Sequence, residues 1–127
     1  IQAGTYPTMD WRYKNVRPEF DIALSVLATC ISAAEPSRAV LDVGVKGVGA
    51  EFGSPIIRDR PDTEIGFFKS EEHCFVDVHG PAFKVGEKVQ LIPSHACTTC
   101  NLHREIYVYQ GGRVVDVWPI EGSGKLR

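Results

Sequence analysis

The chain has 127 residues, 43% of them hydrophobic and 24% charged, with a net charge of −2, which fits one globular domain with a single core. No basic run is present, so a nucleic-acid partner held through its phosphates is not expected. No apolar stretch reaches the length needed to span a membrane, and no signal peptide is visible.

The first residue is Ile1 rather than a methionine, and residues 1–6 read as the interior of a longer protein. Four cysteines are present, Cys30, Cys74, Cys97 and Cys100. They are too sparse for a secreted disulfide scaffold. A reducing, cytoplasmic setting is expected, with Cys30 a buried free thiol inside Leu27-Ala28-Thr29-Cys30-Ile31.

Taken in chain order, residues 20–34 have few breakers, and Val26, Thr29 and Ile31 favour a long strand over a helix. Residues 38–46 alternate, which predicts a strand with Ala39, Leu41, Val43 and Val45 on its apolar face. Residues 55–64 carry prolines and charges and read as a polar loop. In residues 86–93, Val89 and Leu91 oppose Lys88 and Gln90, and Pro93 ends the strand. Residues 105–109 and 114–118 are β-branched and aromatic runs around Gly111-Gly112. That pattern predicts a hairpin, because glycine accepts the positive φ angles of a tight primed turn. Scattered glycines (12) and prolines (8) suit many short strands. The sum is an all-β barrel or sandwich with little helix.

The chemistry concentrates in Pro93-Ser94-His95-Ala96-Cys97-Thr98-Thr99-Cys100-Asn101-Leu102-His103. On an extended segment, His95 and Cys97 point to the same face, so both can reach one ion. Imidazole and thiolate are preferred zinc ligands. Three readings compete. A structural zinc site would recruit Cys100 and His103 as well, yet such sites draw ligands from two separated knuckles and only one cluster exists here. A redox Cys-x-x-Cys belongs in a thioredoxin-like βαβ context, which is missing. An open, catalytic metal site using His95 and Cys97 is favoured, with Cys100 and His103 packed or exposed. Glu71-Glu72-His73 reads as a solvated strand end and His79 as a turn residue. Gly4-Thr5-Tyr6 offers backbone N–H groups, a hydroxyl and a phenol that suit a phosphate, although Tyr6 equally suits a core aromatic.

Several stretches, in order, resemble one family: Gly4-Thr5-Tyr6 with Met9-Asp10; Val40-Leu41-Asp42-Val43-Gly44 with Lys46; Glu71-Glu72-His73; Pro93-Ser94-His95 with Cys97 and Thr98; Asn101-Leu102; and Val115-Asp116-Val117-Trp118-Pro119-Ile120. Together they are similar to the C-terminal domain of the D-serine dehydratase and D-threonine aldolase family, fold-type III pyridoxal-phosphate enzymes related to alanine racemase. The resemblance covers nearly the whole chain. It implies a Greek-key-like β-barrel resembling the alanine racemase C-terminal domain, with residues 1–15 joining from a (β/α)8 barrel and residues 16–127 forming the β-barrel domain.

By the same resemblance, His95 and Cys97 fall on the family's His-x-Cys metal pair, for zinc or another divalent ion. Gly4 and Tyr6 fall near the cofactor phosphate. The cysteine version of the pair is the dehydratase-like one, so the chain looks closer to a D-serine dehydratase than to a D-threonine aldolase. Cys100 stands where an apolar residue is expected. None of Lys14, Lys46, Lys69, Lys84, Lys88 or Lys125 lies in a cofactor-lysine context, so pyridoxal phosphate belongs to the full enzyme. The implied partners are the (β/α)8 barrel, a second subunit in a homodimer and a β-hydroxy D-amino acid substrate. The alternative is a non-catalytic β-barrel interaction domain with a structural zinc site.

Overall fold

The computed structural model describes residues 3–66 and 70–125. The elements run α1 (Trp11–Lys14), β1 (Val26–Glu35), β2 (Arg38–Leu41), β3 (Ile56–Ile57), β4 (Thr63–Ile65), β5 (Cys74–Val78), β6 (Lys88–Ile92), α2 (Ala96–Asn101), β7 (Glu105–Gln110) and β8 (Arg113–Pro119). Six strands form one antiparallel sheet in the order β3-β6-β1-β2-β5-β4, and β7 and β8 form a separate hairpin. The edge strands β3 and β4 lie beside each other, so the sheet nearly closes on itself. The expected all-β, barrel-like architecture is therefore what the chain adopts.

β1 makes the curl possible. Its first half, Val26 to Thr29, pairs with β6, while Cys30 to Glu35 pairs with β2 through two irregularities in register. A strand that changes partners at a bulge bends, and the bend turns a flat sheet into a barrel wall. The bend is held from both sides. Asp42 Oδ1 accepts the Thr29 N–H at 2.6 Å, and the Cys30 N–H donates to the Glu87 carbonyl at 2.8 Å.

The core follows the alternation. Cys74, Val76 and Val78 of β5 face inward while Phe75 and Asp77 face out. Ala28, Cys30, Ala39, Leu41, Val48 and Leu91 fill the interior beside them. Val89 and Leu91 are buried with Lys88 exposed, as the alternation predicts. Residues 20–34 form a strand rather than a helix, although it begins only at Val26. Gly111 and Gly112 both have positive φ, 56° and 77°, at the predicted hairpin turn.

Two expectations are corrected. The polar loop expected over residues 55–64 contains β3 and the start of β4. Strands this short leave no periodicity to read, and their pairing comes from distant partners, β6 and β5. The charged residues between them form a turn. There Arg60 bonds Asp62, Glu87 and the Pro81 carbonyl. The strand expected over residues 38–46 stops at Leu41. Ala39 and Leu41 within it and Val43 just after it are buried as predicted, but Val45 is 39% exposed.

Candidate metal centre

β6 delivers the chain into the motif. Pro93 and Ser94 are buried, and the Pro93 carbonyl accepts the Trp11 N–H at 3.2 Å. The segment then does not stay extended. His95 is the N-cap residue of α2, with φ −151° and ψ 134°, and Cys97 lies in the first turn of that helix. Strand alternation is therefore not what relates His95 to Cys97. Ala96-Cys97-Thr98-Thr99 has no breaker, and the two threonines find hydrogen-bond partners that fix the turn.

Those bonds tie α2 to the loop after β2. The buried Thr99 hydroxyl donates to the His95 carbonyl at 3.0 Å and accepts the Gly49 N–H at 3.1 Å. The Thr98 hydroxyl donates to the Glu51 carboxylate. His103 Nε2 lies 2.7 Å from the Gly47 carbonyl oxygen. The His95 backbone thus sits on a rigid platform built from two segments.

The His95 ring is enclosed on three sides. Phe52 meets it edge-on at 5.2 Å between centroids, Tyr13 stands at 6.1 Å, and Asp10 Oδ2 lies 3.4 Å from its Nδ1. Asp10 is fully buried and caps α1 by accepting the Tyr13 N–H on Oδ1 at 2.8 Å. Sequence reading gave Asp10 no role. Its signal was local: an aspartate two to three residues ahead of unpaired helical N–H groups is a preferred cap.

The remaining candidates separate clearly. The Cys97 thiol is exposed, whereas Cys100 is half-buried, and burial first and the neighbouring Cys97 second push its thiol pKa up. Cys30 and Cys74 are buried free thiols. Glu71 and Glu72 both pair with Lys46, at 2.8 and 3.1 Å, on the exposed surface, as a solvated strand end should. His79 is exposed in a turn.

Gly4 and Tyr6 lie in an exposed N-terminal turn closed by the Thr8 and Met9 N–H groups on the Thr5 carbonyl. The Tyr6 ring is 56% exposed and leans on Phe20 at 6.1 Å. That turn runs directly into Asp10. Lys14 is committed to the Pro18 and Phe20 carbonyls and to Asp21. Lys69 lies outside the described residues.

The donor set suits a metal in a limited way. Among the described residues, no three His, Cys, Asp or Glu side chains converge. A closed structural site needs four ligands, and His103 is turned to Gly47. What fits is half a site: one imidazole and one exposed thiol at the end of a rigid element.

Residues 23–109 match the sequence model of the serine dehydratase domain family. The chain is 36% identical over 133 residues to the D-threonine aldolase of an Arthrobacter species, covering 100% of this chain and 35% of that protein. It is 33% identical over 135 residues to the 3-hydroxy-D-aspartate aldolase of Paracoccus denitrificans, covering 98% of this chain and 34% of that protein. The chain therefore spans about a third of the length of these curated relatives. Among solved structures, the D-threonine aldolase of Filomicrobium marinum superposes with a TM-score of 0.87 at 29% identity, over 98% of this chain and 36% of that one. An alanine racemase-like protein of Idiomarina loihiensis shares the fold, with a TM-score of 0.73 at 23% identity over 91% of this chain and 36% of that one.

Proposed function

This chain belongs to the serine dehydratase domain family, and from that premise we propose that it is the metal-binding C-terminal domain of a pyridoxal-phosphate-dependent lyase acting on β-hydroxy D-amino acids. The named substrates of its relatives, D-threonine and 3-hydroxy-D-aspartate, are both β-hydroxy D-amino acids. The chain spans about a third of those relatives. The rest of the enzyme, a (β/α)8 barrel with the cofactor lysine, is proposed to lie outside these residues and to pair with this domain in a homodimer.

The observation that carries the metal reading is His95. It is half-buried and ring-packed at a strand end, two residues from an exposed thiol. In the full enzyme, pyridoxal phosphate would withdraw electrons from the amino acid, and a divalent ion would offer a positive centre to its β-hydroxyl oxygen. The work of this chain is to hold that ion. His95 contributes a neutral nitrogen and Cys97 a thiolate, so the ion keeps a net positive charge. Phe52 and Tyr13 shield the imidazole from water. Gly4 and Tyr6 are proposed to meet the cofactor phosphate, through a backbone N–H and a phenol.

The cysteine at position 97 favours a dehydratase, which expels the hydroxyl. The named activities of the two relatives above favour an aldolase, which breaks Cα–Cβ. Product analysis of the full-length enzyme separates them: a keto acid with ammonia, or an aldehyde with an amino acid.

The test is metal analysis and activity of the full-length enzyme with His95→Ala and Cys97→Ala. Wild type should hold a stoichiometric divalent ion, and each variant should lose both metal and most activity. A metal-free wild type, or full activity in both variants, overturns the reading.

A further inference from the structure

Asp10 Oδ2 and His95 Nδ1 lie 3.4 Å apart, both buried, and neither makes an aligned hydrogen bond, to the other or to any other described residue. A carboxylate oxygen buried without a donor is costly, as is a buried ring nitrogen without a partner. A small adjustment would let each satisfy the other. Asp10 is also not free to turn away. Its Oδ1 is held by the Tyr13 N–H at 2.8 Å as the cap of α1, and the side chain is fully buried. The imidazole is constrained in turn by Phe52 and by Tyr13, which projects from the helix that Asp10 caps.

We infer that Asp10 is the positioning residue of His95. Its Oδ2 accepts the Nδ1–H, which fixes both the ring orientation and the tautomer and leaves Nε2 as the nitrogen with a free lone pair. Only the last step, that Nε2 meets a metal, rests on the proposed function. The tautomer is a property of this chain alone. The arrangement gives one carboxylate two linked tasks. Capping α1 sets the carboxylate, and the carboxylate sets the ligand. A ring flipped about its Cβ–Cγ bond would put carbon rather than nitrogen beside Asp10 and leave both polar atoms unpaired. Carboxylate–histidine pairs of this kind orient metal-binding imidazoles and raise their basicity.

The test uses the 127-residue chain labelled with 15N, at a pH of about 8, where free imidazole is neutral. Long-range 1H–15N correlations report which ring nitrogen of each histidine carries the proton. Wild-type His95 should be the Nδ1–H tautomer. Asp10→Asn keeps the volume and, through its Oδ1, the cap. It then turns its NH2 towards His95 and should switch the ring to Nε2–H. Asp10→Ser keeps only a cap acceptor and should leave His95 with a mixture like that of free imidazole.

Zinc affinity, read by competition with a chelating indicator, should fall about 10–100-fold in Asp10→Asn with the circular dichroism unchanged. An Nε2–H tautomer in wild type overturns the inference, as do an unchanged tautomer and affinity in Asp10→Asn. If Asp10→Asn does not fold, the wild-type spectrum and Asp10→Ser decide. If the tautomers behave as stated but wild type binds no zinc, the role of Asp10 stands and the metal reading of His95 fails.

Discussion

His103 Nε2 stands 2.7 Å from the carbonyl oxygen of Gly47, fifty-six positions earlier in the chain. The bond joins the end of α2 to the loop that leaves β2. It also explains why a histidine three residues after a Cys-x-x-Cys need not be a ligand: its ring already has a structural partner. With Thr98 on Glu51 and Thr99 on Gly49, it makes α2 and the loop around Gly47 a single unit beneath His95.

Thr99→Val tests that unit. The substitution keeps shape but removes a buried hydroxyl that serves two backbone groups, the His95 carbonyl and the Gly49 N–H. The buried Gly49 N–H would be left unpaired away from water, while the His95 carbonyl, at the N-cap of α2, keeps its intrahelical bond. A loss of about 1–3 kcal/mol is expected in urea denaturation, and Thr99→Ser should recover most of it. A Thr99→Val chain as stable as wild type would show that α2 does not depend on this hydroxyl.

Gly44→Ala tests the other end of the loop. A Cβ at Gly44 would run into the Ser70 carbonyl oxygen and the Glu71 carbonyl carbon, closer than any real methyl contact. Both neighbours are backbone and cannot rotate aside. The Val45 and Lys46 N–H groups also donate to the Ser70 and Glu71 carbonyls, at 3.2 and 3.0 Å, so moving the segments apart breaks hydrogen bonds. A destabilisation of about 2–3 kcal/mol is expected, measured as a lower denaturation midpoint. Gly66→Ala, where the added methyl meets nothing within 4 Å among the described residues, is the matched control.

What the sequence disclosed and what it hid divide along the range of the interactions. The hairpin was legible because Gly111-Gly112 dictates a turn by backbone conformation alone. β5 and β6 follow a two-residue period, and β6 could be read from Val89 and Leu91. β3 and β4 could not, since two or three residues carry no period and their pairing depends on strands far along the chain. α2 was hidden by the threonines and cysteines of the motif, which favour no element. It forms because Thr98 and Thr99 find Glu51 and Gly49. The two metal-ligand candidates stood out by residue type. The buried carboxylate behind His95 did not, because Asp10 is eighty-five residues away and its approach depends on the fold.

The stability of the chain should fall at high pH, and Cys74 gives the sign. Burial pushes its thiol pKa from 9.0 up to about 12, with a hydrogen bond from the Leu41 backbone opposing and the Asp42 charge adding. The unfolded chain loses this proton near the ordinary value, while the folded chain keeps it. Between about pH 9 and 12 the unfolded state therefore binds fewer protons, so stability is full below that window and declines as pH rises through it. The slope from one group is at most on the order of 1.4 kcal/mol per pH unit. Cys100, also raised by burial, acts in the same direction. Urea denaturation across this range should show a shallower decline in Cys74→Ala, whose baseline is lower because of the cavity. Equal slopes in the two proteins would show that Cys74 is not the source.

Stripping metal should leave the fold intact. The core of Ala28, Cys30, Leu41, Val76 and Leu91 is closed by apolar contacts. α2 is held by Thr99, by His103 and by the Ser123 hydroxyl on the Asn101 carbonyl at 3.3 Å. None of these contacts needs an ion. A structural zinc knot behaves in the opposite way, because its ligands are the fold's own cross-links and the apo chain is unfolded. After exhaustive treatment with a chelator, the chain should keep its β-rich circular dichroism and its cooperative denaturation midpoint. His95→Ala should be no more sensitive to chelation than wild type. If the chain instead unfolds when stripped and refolds when zinc is returned, the site is structural, and the open half-site of His95 and Cys97 is the wrong description of it.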